Sequence, residues 1–273
     1  TKNLTGEFSW SSNFNISFNK NKVLEVGVDG RPIYGSAANA NNAFITKPGY
    51  PIASFYGYKY IGVFQSEEEL AKYPHLSGDK VGDGRYEDVN KDGVLDQNDK
   101  TILGDNNPLF TAGFSNSFSY KNFTLDIQFT GSYGAEVFSF YKRMCGIYHG
   151  DRNGMIEQLG RWQSKDQPGD GIHFRPTRTP SGWQRDPSSA WVQDASYLRL
   201  RNLTLGYNFD QKVLDKMKMK GLRLYVTGQN LFTITNYVGY DPETSSESGL
   251  AQGGDYLGYP AARSFIIGAN ITF

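Results

Sequence analysis

The sequence predicts an all-β fold, part of a large antiparallel transmembrane β-barrel with long extracellular loops. Three features carry this reading. Apolar and polar residues alternate in long runs; Tyr, Phe and Gly are abundant, at 18, 18 and 31 of 273 residues; and connections are either very short or tens of residues long. The clearest run is Phe110 to Tyr133. Phe110, Ala112, Phe114, Asn116, Phe118 and Tyr120 alternate with Thr111, Gly113, Ser115, Ser117 and Ser119. After Lys121-Asn122, Phe123, Leu125, Ile127 and Phe129 alternate with Thr124, Asp126, Gln128 and Thr130. Strand side chains point to opposite faces with period two, so each run has one apolar and one polar face. A two-residue break containing Asn suits a tight antiparallel hairpin. Strands of soluble sheets average about five or six residues, whereas about 9–11 tilted residues cross a bilayer. Long paired strands, aromatic outside and Ser/Thr/Gln inside, are the unit of a transmembrane barrel.

Other classes are bounded by composition. Lys plus Arg equals Asp plus Glu, 28 each, so no net field favours nucleic acid or an acidic substrate. No apolar run of about 18 residues exists, which excludes a helical span but not a barrel, whose strands hide every second residue from a hydropathy average. The mean hydropathy of −0.54 is compatible with that. Cys145 is the sole cysteine, so no intrachain disulfide and no thiol metal site is spelled out. The opening Thr1-Lys2-Asn3-Leu4 is not a signal peptide, and we expect the chain to start inside a longer protein.

In chain order, residues 4–18 repeat the pattern, with Phe8, Trp10, Phe14, Ile16 and Phe18 on one face. Asn19 to Lys22 reads as a turn. Val23–Val28 is a weak strand candidate, followed by a small-residue loop from Ser36 to Asn42. Phe55 to Phe64 reads as a strand with Tyr56, Tyr58, Tyr60 and Phe64 on one face. Ser66 to Tyr73 carries a helix start, a Ser cap with Glu69 three residues on. After the hairpin, Ser139–Ala195 is a long insertion with one short helix at Gly154–Trp162 and several prolines, unusual in a compact soluble domain but ordinary for an outward barrel loop. Tyr197 to Phe209 is the next strand. Its apolar parity switches at Arg201-Asn202, which points to a bulge. Asp210–Gly221 is a polar turn. Leu222 to Thr235 and Ser264 to Phe273 are the last two alternating runs.

The sharpest local motif is Asp88 to Asp99. Asp88, Asn90, Asp92, Asp96 and Asp99 fall at positions 1, 3, 5, 9 and 12, with Gly93 at 6 and the Val94 carbonyl at 7. Hard oxygen ligands at this spacing wrap a Ca²⁺, here in a structural role. Asp at position 12 is shorter than the Glu of EF-hands, and no flanking helix pair is apparent. The competing reading is an Asx-rich turn whose carboxylates cap backbone amides. No organic cofactor motif occurs.

For catalysis the inventory is thin. His75, His149 and His173 lie in loops, without a metal-binding pair or a nucleophile elbow. Asp166, Asp170 and Asp194 could flank a glycosidic bond, but scattered Asp in a Gly/Pro-rich loop is usually turn chemistry. No enzyme is expected. Trp162, Trp183 and Trp191 are either substrate or lid contacts or anchors of a long loop.

Seven strands emerge. Single-chain bacterial barrels use an even number from about eight upward, and an open sheet would leave edges that a bilayer does not tolerate. We therefore expect a part of a barrel, or a strand hidden in residues 23–50. The competing fold is a secreted, calcium-stabilised β-sandwich that binds carbohydrate.

Several motifs now fall into place together. The runs Gly57 to Phe64, Tyr86 to Gly93 and Ile102-Leu103-Gly104, then Pro108 and Gly113, resemble the SusC-like TonB-dependent transporters of Bacteroidetes outer membranes. So do Ser196 to Tyr207, Gly228 to Phe232, Tyr240-Asp241-Pro242-Glu243 and the closing Gly268 to Phe273. The resemblance covers nearly all of residues 1–273 and implies roughly the C-terminal quarter to third of a longer chain. It implies a barrel of about 22 strands filled by a plug, powered through TonB, lidded by a SusD-like surface lipoprotein and importing oligosaccharides or peptides across the cell outer membrane. The partners are then lipid and the remainder of the barrel, with no nucleic acid. It also implies that Phe273 lies on the periplasmic side. Counting back places Tyr237–Pro260, Ser139–Ala195 and Gln65–Leu109 outside, with 65–109 and 139–195 as the long loops. Lys121-Asn122 and Asp210–Gly221 fall in the periplasm. The count also puts Lys20–Pro51 there, too long for a periplasmic turn unless it holds an extra hairpin.

Overall fold

The structure, a computed structural model, describes residues 2–37, 40–146, 153–177, 186–244 and 248–273. In chain order the strands begin with β1 (Lys2–Thr5), β2 (Phe8–Ser17), β3 (Ile33–Ala37), β4 (Ala40–Thr46), β5 (Ser54–Gly57) and β6 (Tyr60–Val63). Helix α1 (Glu67–Lys72) is followed by β7 (Gly84–Tyr86), β8 (Thr101–Gly104), β9 (Phe110–Tyr120), β10 (Phe123–Tyr133) and β11 (Glu136–Ser139). Then come α2 (Phe140–Gly146), β12 (Val192–Asp194), β13 (Tyr197–Asn208) and α3 (Gln211–Met217). The chain closes with β14 (Gly221–Gln229), β15 (Thr233–Thr235), β16 (Gly254–Asp255) and β17 (Ser264–Thr272).

The long alternating runs assemble into one antiparallel sheet, ordered β1-β2-β9-β10-β13-β14-β17, with β15 continuing beside β13. Tyr120 pairs directly with Phe123, so Lys121-Asn122 is the tight hairpin turn, with Lys121 at φ 51°. At the same end lie the turn at Gly6, which joins β1 to β2, and the segment between β13 and β14. That segment is more than the polar turn expected. It holds α3, because Leu214 buries one side of a short amphipathic stretch, and the helix stops at Lys218 in the left-handed region.

The connections 18–109, 134–196 and 236–263 all leave the opposite end, and they share a core. Phe44, Phe55, Val63, Phe138, Phe140, Phe174, Trp191 and Ala251 come from all three and pack into one cluster. Around it stand three small sheets, β3-β4-β5-β8, β6-β7 and β12-β11-β16. The end of the wall is therefore covered by a folded layer rather than by loose loops.

Several expectations are corrected here. Phe55–Phe64 is not a wall strand. It breaks into β5 and β6 at the loop end, with Tyr58 fully buried. The seventh wall strand is instead the short β1. Since β2 ends beside the start of β9, at Ser17 opposite Thr111, Lys20–Pro51 lies at the loop end and not the turn end. It does contain a hairpin, β3–β4, but within the loop layer. Val23–Val28 forms no strand, and Gly154–Trp162 contributes a single 3-10 turn at Ile156–Gly160. The helix start at Ser66 is as expected: its hydroxyl accepts from the Glu69 N–H at 3.2 Å, and Glu69 reaches back to the Gln65 N–H at 2.9 Å.

Gly57 shows how closely the loops abut. A Cβ there would stand 2.1 Å from the Pro187 carbonyl oxygen, which accepts from the Tyr58 N–H at 2.9 Å. Gly57→Ala must separate two backbones that cannot move independently. It is expected to raise amide exchange across residues 54–63 and 186–190 while leaving the β9–β10 ladder protected; unchanged exchange in the first two segments would refute this packing.

Candidate functional site

The wall presents two chemically opposite faces. On one, Phe8, Trp10, Phe118, Phe123 and Tyr207 ring the turn end, and Phe18, Phe110 and Tyr133 ring the loop end. Leu125, Ile127, Leu203, Leu205, Val226 and Ile267 fill the middle. No second sheet covers this face among the described residues: Phe265 is 75% and Ile267 84% exposed. A β-sandwich would bury it. Two polar residues interrupt it, Ser12 and Asn116, which pair across β2 and β9; Asn116 is buried because Trp10 lies over it and donates its indole N–H to Asn116 Oδ1 at 3.0 Å.

The other face is a hydrogen-bonded polar surface. Asp126 accepts from Ser117 Oγ at 2.7 Å and lies 3.8 Å from the Arg223 guanidinium. Asn202 donates to Gln128 Oε1 at 2.8 Å, and the Thr204 and Thr227 hydroxyls meet at 2.8 Å.

The expected bulge joins the two faces. Gln128 pairs with Asn202 but Phe129 with Leu200, leaving Arg201 as the extra residue. The insertion keeps Leu198 and Leu200 on the same face as Leu203 and Leu205. It also brings Arg201 to the polar side, where its Nε donates to Thr130 Oγ1 at 2.9 Å.

Beside it stands a cluster that sequence reasoning missed. Arg199, only 3% exposed in its side chain, donates to Asp241 Oδ1 and to Glu243 Oε2, both at 2.5 Å, and to Thr233 Oγ1 at 2.8 Å. Arg201 bonds to Glu243 as well, and Tyr197 donates to Glu243 Oε1 at 2.5 Å. Burial alone would raise the Asp241 pKa, but hydrogen bonds from Arg199 and from the Ala261 and Glu243 amides hold it below its ordinary value. The signal was present: two arginines on one strand, and two carboxylates in Tyr240-Asp241-Pro242-Glu243. Their pairing across more than 40 residues was not.

The acidic loop is tightly organised. Asp88 accepts from the Lys91 and Gly93 amides at 2.7 and 2.9 Å, and Asp92 from Val94 at 2.8 Å. Asn90 accepts from Asp92 at 2.9 Å, and Asp96 from Asn98 at 2.7 Å. Asp99, fully buried, accepts from Val89 and Asp96 at 2.9 and 2.8 Å. Leu95 anchors the loop beside Tyr58 and Tyr86. Among the described residues, no three carboxylate, thiol or imidazole groups converge as metal ligands.

The tryptophans divide. Trp191 is 3% exposed and packs inside the loop core, and Trp162 is partly buried against the same core. Trp183 and His149 lie outside the described residues. His173 Nδ1 pairs with Asp170 Oδ2 at 2.6 Å, and Asp170 also accepts from the Ile172 and His173 amides. Those bonds outweigh burial and lower the Asp170 pKa. Asp194 likewise caps Ser196. These carboxylates are turn chemistry.

A sheet with a lipid-ready face, a hydrogen-bonded polar face and every long connection at one end is a piece of an outer-membrane β-barrel wall. The relatives make the class specific. The chain is 34% identical over 285 residues to TonB-dependent receptor P3 of Formosa agariphila, covering 100% of this chain and 28% of the relative. It is 26% identical over 279 residues to TonB-dependent receptor SusC of Bacteroides thetaiotaomicron, covering 99% of this chain and 25% of the relative. The structure of the RagAB peptide transporter superposes with a TM-score of 0.78 at 20% identity, covering 100% of this chain and 28% of that one. No family model matches. The chain corresponds to the C-terminal part of TonB-dependent receptors, SusC among them, and is an outer-membrane protein. It spans about a quarter of the length of these relatives.

Proposed function

We propose that this chain supplies part of the wall and outward face of a TonB-driven importer of oligosaccharides or oligopeptides, working with a SusD-like lipoprotein. The observation that carries the reading is the loop layer. Three connections with a common core at one end of the wall form a firm platform, the kind of surface on which a lid can dock. The import and partnership are supported by the SusC relationship and by the likeness to a peptide importer. Two measurements test it. Protease applied to intact cells carrying the complete receptor should cut within 18–109, 134–196 or 236–263; cleavage confined to 210–220 overturns the orientation. Deleting the receptor should abolish growth on one oligosaccharide or peptide source; undiminished uptake of both classes overturns the function.

The acidic loop is proposed to hold a structural Ca²⁺ through Asp88, Asn90, Asp92, Val94, Asp96 and Asp99. The spacing supports it, and so does the crowding of four exposed or half-exposed carboxyl and amide groups in one turn. Calcium should slow proteolysis of residues 88–99 in the native protein but not in Asp92→Ala. Equal rates with calcium and with chelator would leave an Asx turn closed by its own amides.

A further inference from the structure

The apolar face is not evenly filled. One row of cross-strand partners near the loop end runs Ile16, Ala112, Gly131, Leu198, Ile234. Its centre is one methyl group and one hydrogen. The flanking rows are aromatic: Phe110 and Tyr133 toward the loops, their rings 5.5 Å apart, and Phe14, Phe114 and Phe129 toward the turns. A low floor between two ridges makes a groove of about 460 Å³.

We propose that this groove is a binding site for one fatty acyl chain of a lipid in the leaflet on the loop side. The groove opens from the face that the fold assigns to lipid, so hydrocarbon is what it meets. Its depth selects the leaflet. It lies just beneath the Phe110–Tyr133 ridge, and polar groups of Asp194, Ser196 and Asn236 stand at its loop-end margin. A chain hanging from a headgroup thus passes a polar rim and reaches an apolar floor. Lipid tails are as apolar as the groove, so the gain is not desolvation. It is contact: a void in a packed surface forfeits the dispersion energy of every atom lining it, and a flexible chain restores it. Such a site should show preferential, exchanging occupancy rather than tight retention.

The test uses the complete receptor in vesicles, with a photoreactive diazirine on the acyl chain of either an outer-leaflet glycolipid or a glycerophospholipid. With the glycolipid probe, adducts on Phe114, Tyr133 and Leu198 should exceed those on Leu205 and Val226 several-fold, although all five are comparably exposed. Ala112→Leu, which fills the floor, should bring the first group down to the second. Uniform labelling of the apolar face overturns the groove and leaves the wall intact. Labelling from the glycerophospholipid alone overturns the leaflet. A protein cross-link to Phe114 or Tyr133 in native membranes overturns the lipid occupant. Adducts on Thr204 or Thr227 would overturn the wall reading itself.

Discussion

Ile127→Lys should prevent assembly of the wall, while Gln128→Lys should leave it intact. Ile127 stands midway along β10, between Asn116 and Leu203 on the apolar face. Aromatic rows mark both ends of that strand. Ten steps of about 3.4 Å give about 34 Å, and a tilt near 40° reduces this to roughly 26 Å, the height of an outer-membrane apolar band. A lysine at its midplane costs about 2–4 kcal/mol, a large share of a marginal folding free energy. Gln128 faces the other way, where it accepts from Asn202, and losing that bond in a wet environment costs about 1 kcal/mol. The readout is the folded, detergent-resistant fraction in isolated outer membranes. Equal losses in the two variants would mean that the faces are reversed.

Arg199→Met should release the third connection from the wall. It leaves Asp241 and Glu243 facing each other, their side chains only 11% and 26% exposed, without the guanidinium that joined them. Arg201 still bonds to Glu243, so Asp241 is the carboxylate left without a cation; removing one member of a buried pair costs up to about 3–5 kcal/mol, because the other charge stays behind unpaired. The ladder of β13 does not depend on the side chain, so the wall should persist while residues 236–263 become protease-sensitive. Arg199→Lys keeps the charge but not the two-pronged geometry and should fall between. The pH dependence follows from the sign of the Asp241 shift. Its folded pKa lies below the unfolded value of about 3.9, so its contribution is complete above that value and lost only as pH falls through the folded one. The connection should therefore stay closed at neutral and mildly acid pH and open in strong acid. A Met variant cleaved no faster than the native protein would show that this cluster holds nothing.

Much of the wall was legible because its signal is local. Period-two alternation identifies a strand and both its faces from a few neighbours, and Lys121-Asn122 identifies a hairpin. A parity switch at Arg201 identifies a bulge, and Ser66 with Glu69 a helix start. Residues 55–64 show where this stops. Their tyrosines and Phe64 share one parity, as the apolar residues of a wall strand do, but Gly57 abuts Pro187 and Tyr58 is buried against Tyr86, so the segment turns into the loop layer. Counting it as a crossing reversed the side assigned to Lys20–Pro51. Alternation reports that one face is buried and not what buries it.

The sequence by itself determined the long strands of the wall, their two faces and the family resemblance. Each follows from the order of side chains along one extended backbone, or from short motifs that survive in order. Only the tertiary structure decided which strands share the wall, that the three connections fold over a common core, and that Arg199 meets Asp241 and Glu243. Those are contacts between residues tens of positions apart, such as Phe44 with Phe138 or Arg199 with Glu243, and nothing in the local pattern of either partner specifies the other.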